Sequence, residues 1–248
     1  MAWSLLIKNG TVVDGSGAPA VPADIALEGD RIAEVGSKLA GEALRTIDAS
    51  GLMVAPGFID IHSHSDFFYL TCPAAESKVR QGVTTEVVGM CSFSPAPVHP
   101  ERRALVEEKA AALGSRLRVE WTGFGEYLER LGASGLSINV VHFVGHGALR
   151  LATVGPDDRP PSAAELQAME RLLSEALDAG AFGFSTGLVY APSVYARTDE
   201  LIALTRSMAT RGGLYFSHIR GEAATLEEAI AEAIRIGEEG GVPVQIAH

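Results

Sequence analysis

The chain has 248 residues, 47% hydrophobic and 21% charged, a composition typical of a globular protein with a sizeable core. A formal net charge of -11, without clustered Lys and Arg, argues against nucleic acid as a partner. No apolar run approaches the roughly 18 residues of a membrane span, so we expect no membrane partner and a cytoplasmic location.

Residues 1–54 are predicted to form a small β domain, the N-terminal part of a β-sandwich. Short alternating segments follow one another here, and two turn signals, Asn9-Gly10 and Glu28-Gly29-Asp30, indicate hairpins. From about residue 55 onward the pattern changes to strands that alternate with helices. This alternation is typical of parallel βα units.

Capping signals mark the helices of the second part. Ser162 with Glu165 forms a capping box, Thr198 is a predicted N-cap, and a longer helical segment is predicted over residues 103–130. Strands are predicted near residues 58, 84, 139, 181, 214 and 243. The expected fold is therefore an α/β protein, a (β/α)₈ TIM-type barrel with its first six strands present. Residues 55–248 would form this barrel, incomplete at the C-terminus.

Potential metal ligands follow several of these strands. His62 and His64 stand one residue apart at the end of an apolar run, and residues so spaced in a strand face the same side. An isolated pair of this kind could arise by chance. Further apolar runs, however, end in Cys91, His218 and His248. Imidazole and thiolate ligands together favour zinc or a similar ion.

Two cysteines are too few for a disulfide framework in a chain of this size. Cys72 and Cys91 are therefore both predicted to be reduced thiols. Cys91 is thus free to bind a metal.

Five segments, in this order along essentially the whole chain, resemble landmarks of the amidohydrolase superfamily, specifically of the D-aminoacylase or N-acyl-D-amino-acid deacylase family. They are Ile7-Lys-Asn-Gly-Thr-Val-Val-Asp-Gly-Ser-Gly, Ala55-Pro-Gly-Phe-Ile-Asp-Ile-His-Ser-His, Gly82-Val-Thr-Thr-Glu-Val-Val-Gly-Met-Cys91, Gly187-Leu-Val-Tyr-Ala-Pro192 and Ser217-His-Ile-Arg-Gly-Glu222. Each motif alone is weakly specific for the family, whereas the set of five in this order is strongly specific.

The resemblance implies a ligand set for one or two divalent ions. It assigns His62 and His64 to one metal position, His218 and His248 to the other, and Cys91 to the tighter site, where its thiolate can also bridge. Many superfamily members use a carboxylated Lys at the end of strand four instead. Here that strand ends in Ser-Thr-Gly at residues 185–187, which favours the cysteine alternative.

The resemblance also implies an activity, the hydrolysis of the amide bond of a small N-acyl-D-amino acid by metal-activated water. Zinc polarises an amide carbonyl and lowers the pKa of bound water to about 7. The family's general base, an Asp after the eighth strand, is expected beyond residue 248 and is not named. Tyr190 is expected to help hold the substrate carboxylate, or else to pack beside Pro192. Arg220 could likewise meet an anion or form an ion pair.

Other polar residues receive secondary predictions. His142 is expected to be a hydrogen-bonded core or supporting residue, whereas His146, at a strand end, is a better pocket candidate. Asp60 is expected to orient a ligand, and Asp66 to play a similar part at the rim.

Two rival functions remain open. A cyclic amidase of the dihydropyrimidinase or dihydroorotase type shares the architecture but usually carries the strand-four Lys. A non-catalytic barrel scaffold would be favoured by degenerate ligands, and all those expected in this span are present.

Overall fold

The computed structural model describes residues 2–248, which fall into two compact units, one ending at Gly57 and the other beginning at Phe58. The strands of the N-terminal unit are β1 (Leu5–Val12), β2 (Val21–Glu28), β3 (Arg31–Gly36), β4 (Thr46–Asp48) and β5 (Met53–Val54). They form one mixed sheet in the order β3-β2-β1-β4, with β5 also pairing with β1. Residues 2–57 thus provide one layer, and the second layer that a sandwich requires is not among them.

The first of the two predicted hairpins is wrong. β1 runs through Asn9 and Gly10 without reversing, and its pairing with β2 shifts register between Ile7 and Gly10. Asn9 has a φ of 63°, so this turn-forming pair makes a β-bulge inside a continuous strand. The second hairpin is confirmed, because β2 and β3 pair antiparallel across Gly29, whose φ is also 63°.

The C-terminal unit alternates strands and helices. Its elements are β6 (Phe58–Asp60), α1 (Glu76–Val79), β7 (Val83–Val88), α2 (Arg103–Ala112), α3 (Phe124–Ala133), β8 (Asn139–Gly145), α4 (His146–Thr153), α5 (Ala163–Asp178), β9 (Gly183–Gly187), α6 (Thr198–Met208), β10 (Leu214–His218), α7 (Leu226–Gly240) and β11 (Val244–Ile246). The six strands are all parallel and adjacent in chain order. All their carboxyl ends therefore lie at one edge of the sheet.

The helix predictions need three corrections. The segment 103–130 is two helices, because Gly114 with a φ of 90° follows α2, and Glu126 accepts the backbone N–H groups of Thr122 and Gly123 to start α3. α4 was not predicted. Thr198 is the first residue of α6, after Arg197 as N-cap. The Ser162 capping box of α5 is confirmed.

Alternate residues of the strands face two different cores. Phe184 and Tyr215 stack with ring centroids 5.6 Å apart in the larger core, where α5, α6 and α7 pack on the sheet. Phe143 and Phe216 instead belong to a second cluster, together with Cys91. The strands thus turn one face to the helices and the other to the predicted ligands. None of the helices of residues 2–248 is long and apolar enough to cross a membrane.

Candidate metal centre

His62 and His64 lie just after β6 rather than within it, yet both side chains reach the same place. Their ring centroids are 5.6 Å apart, and His62 also contacts the ring of Phe216 from β10. The backbone N–H of His62 donates to Asp60 Oδ1 at 3.2 Å, and Lys78 Nζ donates to Asp60 Oδ2 at 2.7 Å. Asp60 therefore supports the position of His62, as predicted from the sequence.

Cys91 is held in a strained loop after β7. Its φ is 52° and that of Ser92 is 74°, values that are uncommon for residues other than glycine. The end of β9 fixes this loop, because the N–H of Gly187 donates to Ser92 Oγ. A Cβ on Gly187 would lie 2.4 Å from the carbonyl oxygen of Cys91, so only glycine permits this approach. The strand end that lacks a Lys thus holds the cysteine loop.

His218 and His248 meet at the ends of the two neighbouring strands. His218 is the last residue of β10 and His248 follows β11, and their ring centroids are 4.5 Å apart. Glu222 Oε1 lies 3.3 Å from His218 Nε2 and 3.2 Å from His248 Nδ1. No role for Glu222 follows from the sequence, because a spacing of four residues from His218 brings side chains together only within a helix, and Glu222 lies in the loop after β10.

The five predicted ligands form two groups of three that share Cys91. His62, His64 and Cys91 make one group, and Cys91, His218 and His248 make the other. Within each group the candidate ligand atoms all lie within 4.8 Å of one another. Histidines from the ends of three strands therefore converge on the thiol that follows a fourth.

The electrostatics of the cluster favour neutral imidazoles. Burial, with repulsion from His64, His248 and His218, lowers the pKa of His62 to about 4. Burial also lowers the pKa values of His64 and His218, with Lys109 the first charge to add to this effect at His64. A neutral imidazole is the form that binds a metal.

The Cys91 thiol, in contrast, is favoured in its protonated form, which is not the form that binds a metal. Burial first, and Glu222 second, raise its pKa to about 11, so an incoming ion must displace its proton.

The donor set fits a borderline-soft divalent ion. Within residues 2–248 the side-chain nitrogens of His218 are buried without a hydrogen-bond partner, since the approach of Glu222 to Nε2 lacks hydrogen-bond geometry. Buried polar atoms are rarely left unpaired. Four imidazoles and one thiol are also ligands that zinc prefers.

An aromatic wall stands beside the cluster. The Tyr190 ring, 42% exposed, lies 5.2 Å from that of His218 and 5.4 Å from that of Phe93. Phe93 also lies 6.4 Å from the His64 ring, and its other neighbour is Lys109, whose Nζ is 3.6 Å from the ring centroid. No local pattern in the sequence indicated Phe93 or Lys109.

Arg220 anchors the loop that carries Tyr190. Its guanidinium donates to the carbonyl oxygens of Val194 at 3.1 Å and Ala196 at 3.0 Å, and it forms an ion pair with Glu232 at 2.8 Å. The ion-pair alternative for Arg220 is therefore correct. Its hydrogen bonds hold the loop rather than an external anion.

A buried network holds the same loop from inside. His146 begins α4, and its Nδ1 lies 2.8 Å from Ser193 Oγ while its Nε2 lies 2.9 Å from Glu200 Oε1. Arg150 Nη1 donates to both carboxylate oxygens of Glu200, at 3.0 and 2.8 Å. Burial lowers the pKa of His146. His146 thus ties α4 to the loop and to α6.

His142 and Asp66 lie in the interior. His142 packs edge-on against Phe124 and Tyr127, with centroids 5.1 and 5.3 Å away, in line with the predicted core role. Asp66 is not at the rim as predicted. It is fully buried, which raises its pKa to about 8, and its Oδ2 lies 3.9 Å from His142 Nε2. Its position after His64 gave no sign of this burial.

Comparison with known proteins gives concordant matches. The sequence profile of the amidohydrolase family matches residues 45–248. The N-acyl-D-glutamate deacylase of Alcaligenes xylosoxydans xylosoxydans is 43% identical over 248 residues, 98% of this chain and 49% of that protein. The D-aminoacylase of the same organism is 40% identical over 250 residues, 99% of this chain and 50% of that protein.

A solved structure matches over the same span. It is the N-acyl-D-glutamate deacylase from Bordetella bronchiseptica, complexed with zinc and a phosphonate inhibitor that mimics the tetrahedral intermediate of the reaction. Its TM-score is 0.90 at 40% identity, and the match covers 98% of this chain and 51% of that one. The chain thus spans about half the length of the relatives it matches.

Proposed function

This chain belongs to the amidohydrolase family, and on that premise we propose that its protein hydrolyses the amide bond of N-acyl-D-amino acids with the help of one or two divalent ions, zinc above all. The observation that carries the proposal is the convergence of four histidines on Cys91 in two groups of three. The relatives at 40–43% identity supply the substrate class, a small N-acyl-D-amino acid.

We propose that His62, His64 and Cys91 hold one ion, and that Cys91, His218 and His248 hold a second. When bound, such an ion polarises the amide carbonyl and lowers the pKa of water. Two supporting groups keep the ligands oriented. Asp60 fixes the backbone of His62, and Glu222 lies against both His218 and His248.

Tyr190 is proposed to bind the substrate carboxylate. Its side chain is partly exposed beside the His218 ring, and Arg220 and His146 fix the backbone and Ser193 of its loop, which limits how far the ring can move. An ordered donor next to the reacting centre loses little entropy when substrate binds.

The proposal also covers the fold and the cellular location of the protein. Residues 55–248 are assigned to a (β/α)₈ barrel and residues 1–54 to a small β domain. The parallel sheet in chain order supports the first assignment, and the mixed sheet of β1 to β5 supports the second. A cytoplasmic location is included because both cysteines are free thiols in the structure.

The decisive experiment is an assay of the purified full-length protein to which this chain belongs, supplied with zinc, against a panel of N-acetyl-D-amino acids, their L-enantiomers and a cyclic amide. Turnover of the D-series above the L-series, lost on chelation and restored by zinc, is the expected result. Turnover of the cyclic amide alone would move the protein to the cyclic amidases. Absence of any turnover with zinc bound would favour the scaffold alternative.

A further inference from the structure

A small cavity adjoins the aromatic wall of the metal centre. It encloses about 200 Å³, and its lining is mainly apolar, with Phe93, Leu105, Val106 and Pro192 among the lining residues. Lys109 is its one charged lining residue. The cavity is bounded by the segment that follows Cys91 and by the segment that follows Tyr190.

Lys109 reaches this place from α2 without a partner for its charge. Its Nζ stands 3.6 Å from the centroid of the Phe93 ring. Across residues 2–248, no carboxylate lies within ion-pair distance of that ammonium, and it donates no hydrogen bond to a protein acceptor. Lys78 offers the contrast, since it is paired with both Asp60 at 2.7 Å and Glu86 at 2.8 Å.

A half-buried ammonium without a counter-charge is costly, because burial removes part of its hydration and the face of the Phe93 ring replaces only part of that loss. Burial accordingly lowers the pKa of Lys109. An anion that enters the cavity would therefore gain a charge-assisted hydrogen bond and relieve that cost. The charge of Arg220, by comparison, is already paired with Glu232, and its guanidinium also donates to loop carbonyls.

The shape of the cavity selects among anions. An apolar lining with one cation suits an aliphatic chain that ends in a carboxylate, as in the side chains of glutamate and aspartate. The α-carboxylate of an N-acyl amino acid is attached beside the amide nitrogen, and it needs no separate apolar cavity. The side-chain carboxylate lies farther from the amide, and Phe93 contacts both places, since its ring lies 6.4 Å from that of His64 and its centroid 3.6 Å from Lys109 Nζ.

We propose that Lys109 recognises the side-chain carboxylate of an acidic N-acyl-D-amino acid, and that the adjoining cavity holds the aliphatic part of that side chain. This inference rests on the proposed function and deepens it, because it names the substrate side chain. Lys109 acts here as a specificity-determining residue. It takes no part in the cleavage of the amide.

The test compares the full-length wild-type protein with its Lys109→Met and Lys109→Arg variants, and uses Lys38→Met as a control that removes an exposed lysine of the N-terminal unit. The substrates are N-acetyl-D-glutamate, its neutral counterpart N-acetyl-D-glutamine, and N-acetyl-D-methionine. In parallel, calorimetry measures the binding of N-acetyl-D-glutamate to the metal-stripped proteins.

Wild type is expected to prefer the glutamate substrate to the glutamine substrate. Lys109→Met should lower kcat/KM for the glutamate substrate by about 10- to 100-fold, the usual effect of one charged hydrogen bond, and leave the methionine substrate within about threefold. Lys109→Arg should retain part of the preference. Lys38→Met should match wild type.

Equal losses for all three substrates would overturn the proposal, because they would place Lys109 at the α-carboxylate or in the fold. A wild type without preference for glutamate would also overturn it. If the wild type hydrolyses none of the three, the proposed function fails, and calorimetry still decides the role of Lys109. Weaker binding to Lys109→Met than to Lys38→Met then supports the proposal, and equal binding refutes it.

Discussion

His62 Nε2 lies 3.2 Å from Cys91 Sγ, which brings together residues that follow β6 and β7. The same sulfur also belongs to the group formed with His218 and His248. Cys91 is therefore the one residue that belongs to both groups of candidate ligands.

The first prediction follows from this sharing. Cys91→Ala should lose metal from both groups, and its zinc affinity should fall by more than the about 10- to 100-fold that loss of an outer-shell contact costs. Metal analysis after equilibrium dialysis measures the loss. Cys72→Ala removes an exposed thiol and serves as the control, expected to bind zinc like the wild type. Equal zinc in both variants would remove Cys91 from the ligand set.

Zinc binding should also depend on the close approach of β9 to the cysteine loop. Gly187→Ala would place a Cβ 2.4 Å from the Cys91 carbonyl oxygen, so the loop must shift. We expect a loss of about 1–3 kcal/mol in the free energy of unfolding and weaker zinc binding. Gly132→Ala, which meets nothing within 4 Å, is the control and should be neutral or slightly stabilising. Unchanged zinc binding in Gly187→Ala would show that the loop adapts without moving its thiol.

Tyr190→Phe should raise KM by about 10-fold or more while kcat stays within about threefold. The reason is that the variant lacks the hydroxyl proposed to bind the substrate carboxylate. Steady-state kinetics with an N-acetyl-D-amino acid separates the two constants. Tyr195→Phe makes the same change in the same loop and should leave both constants near wild type. A KM unaffected by Tyr190→Phe would favour a packing role for this ring.

The buried network around Glu200 should be important for stability. Glu200→Gln leaves the Arg150 guanidinium buried without its counter-charge, and we expect a loss of about 3–5 kcal/mol in the free energy of unfolding. Glu227→Gln, on the exposed side of α7, should stay within about 0.5 kcal/mol. Urea denaturation of both variants measures the difference. A similar small effect in both would show that water or another group compensates Arg150.

Because of the same network, the free energy of unfolding should fall as the solution becomes acidic. Burial lowers the folded-state pKa of His146, whose ring faces Ser193 and Glu200 and lies near the charges of Arg150 and Arg220. The unfolded chain therefore takes up a proton at His146 before the folded chain does. This contribution to stability is present above the ordinary histidine pKa of about 6.5 and is lost as the pH falls below it.

Urea denaturation between pH 7 and pH 5 tests this sign. His146→Gln should flatten the decline in the free energy of unfolding relative to the wild type. The remaining decline comes from other buried imidazoles, among them His142, whose pKa burial lowers to about 4. Parallel curves for the two proteins would contradict the assignment to His146.

Local sequence patterns were sufficient to predict the six parallel strands, the hairpin at Gly29 and the segments that carry the candidate ligands. The Ser162 capping box, the Gly29 turn and the six apolar strand segments depend on neighbouring residues, and short-range sterics and hydrogen bonds decide them. The convergence of His62, Cys91 and His218 also followed from sequence, since parallel strands place their carboxyl ends at one edge of the sheet.

Contacts between distant segments were decided by the tertiary structure alone. Asn9-Gly10 carries the signal of a turn, but pairing of β1 with its neighbours on both sides makes it a bulge. Lys109 meets Phe93 only because α2 packs beside the loop after β7, and Asp66 is buried only because distant segments cover it. Periodicity and capping report on residues a few positions apart. The partner of a buried charge or an unpaired ammonium depends on packing between segments far apart in the chain, and no local pattern records it.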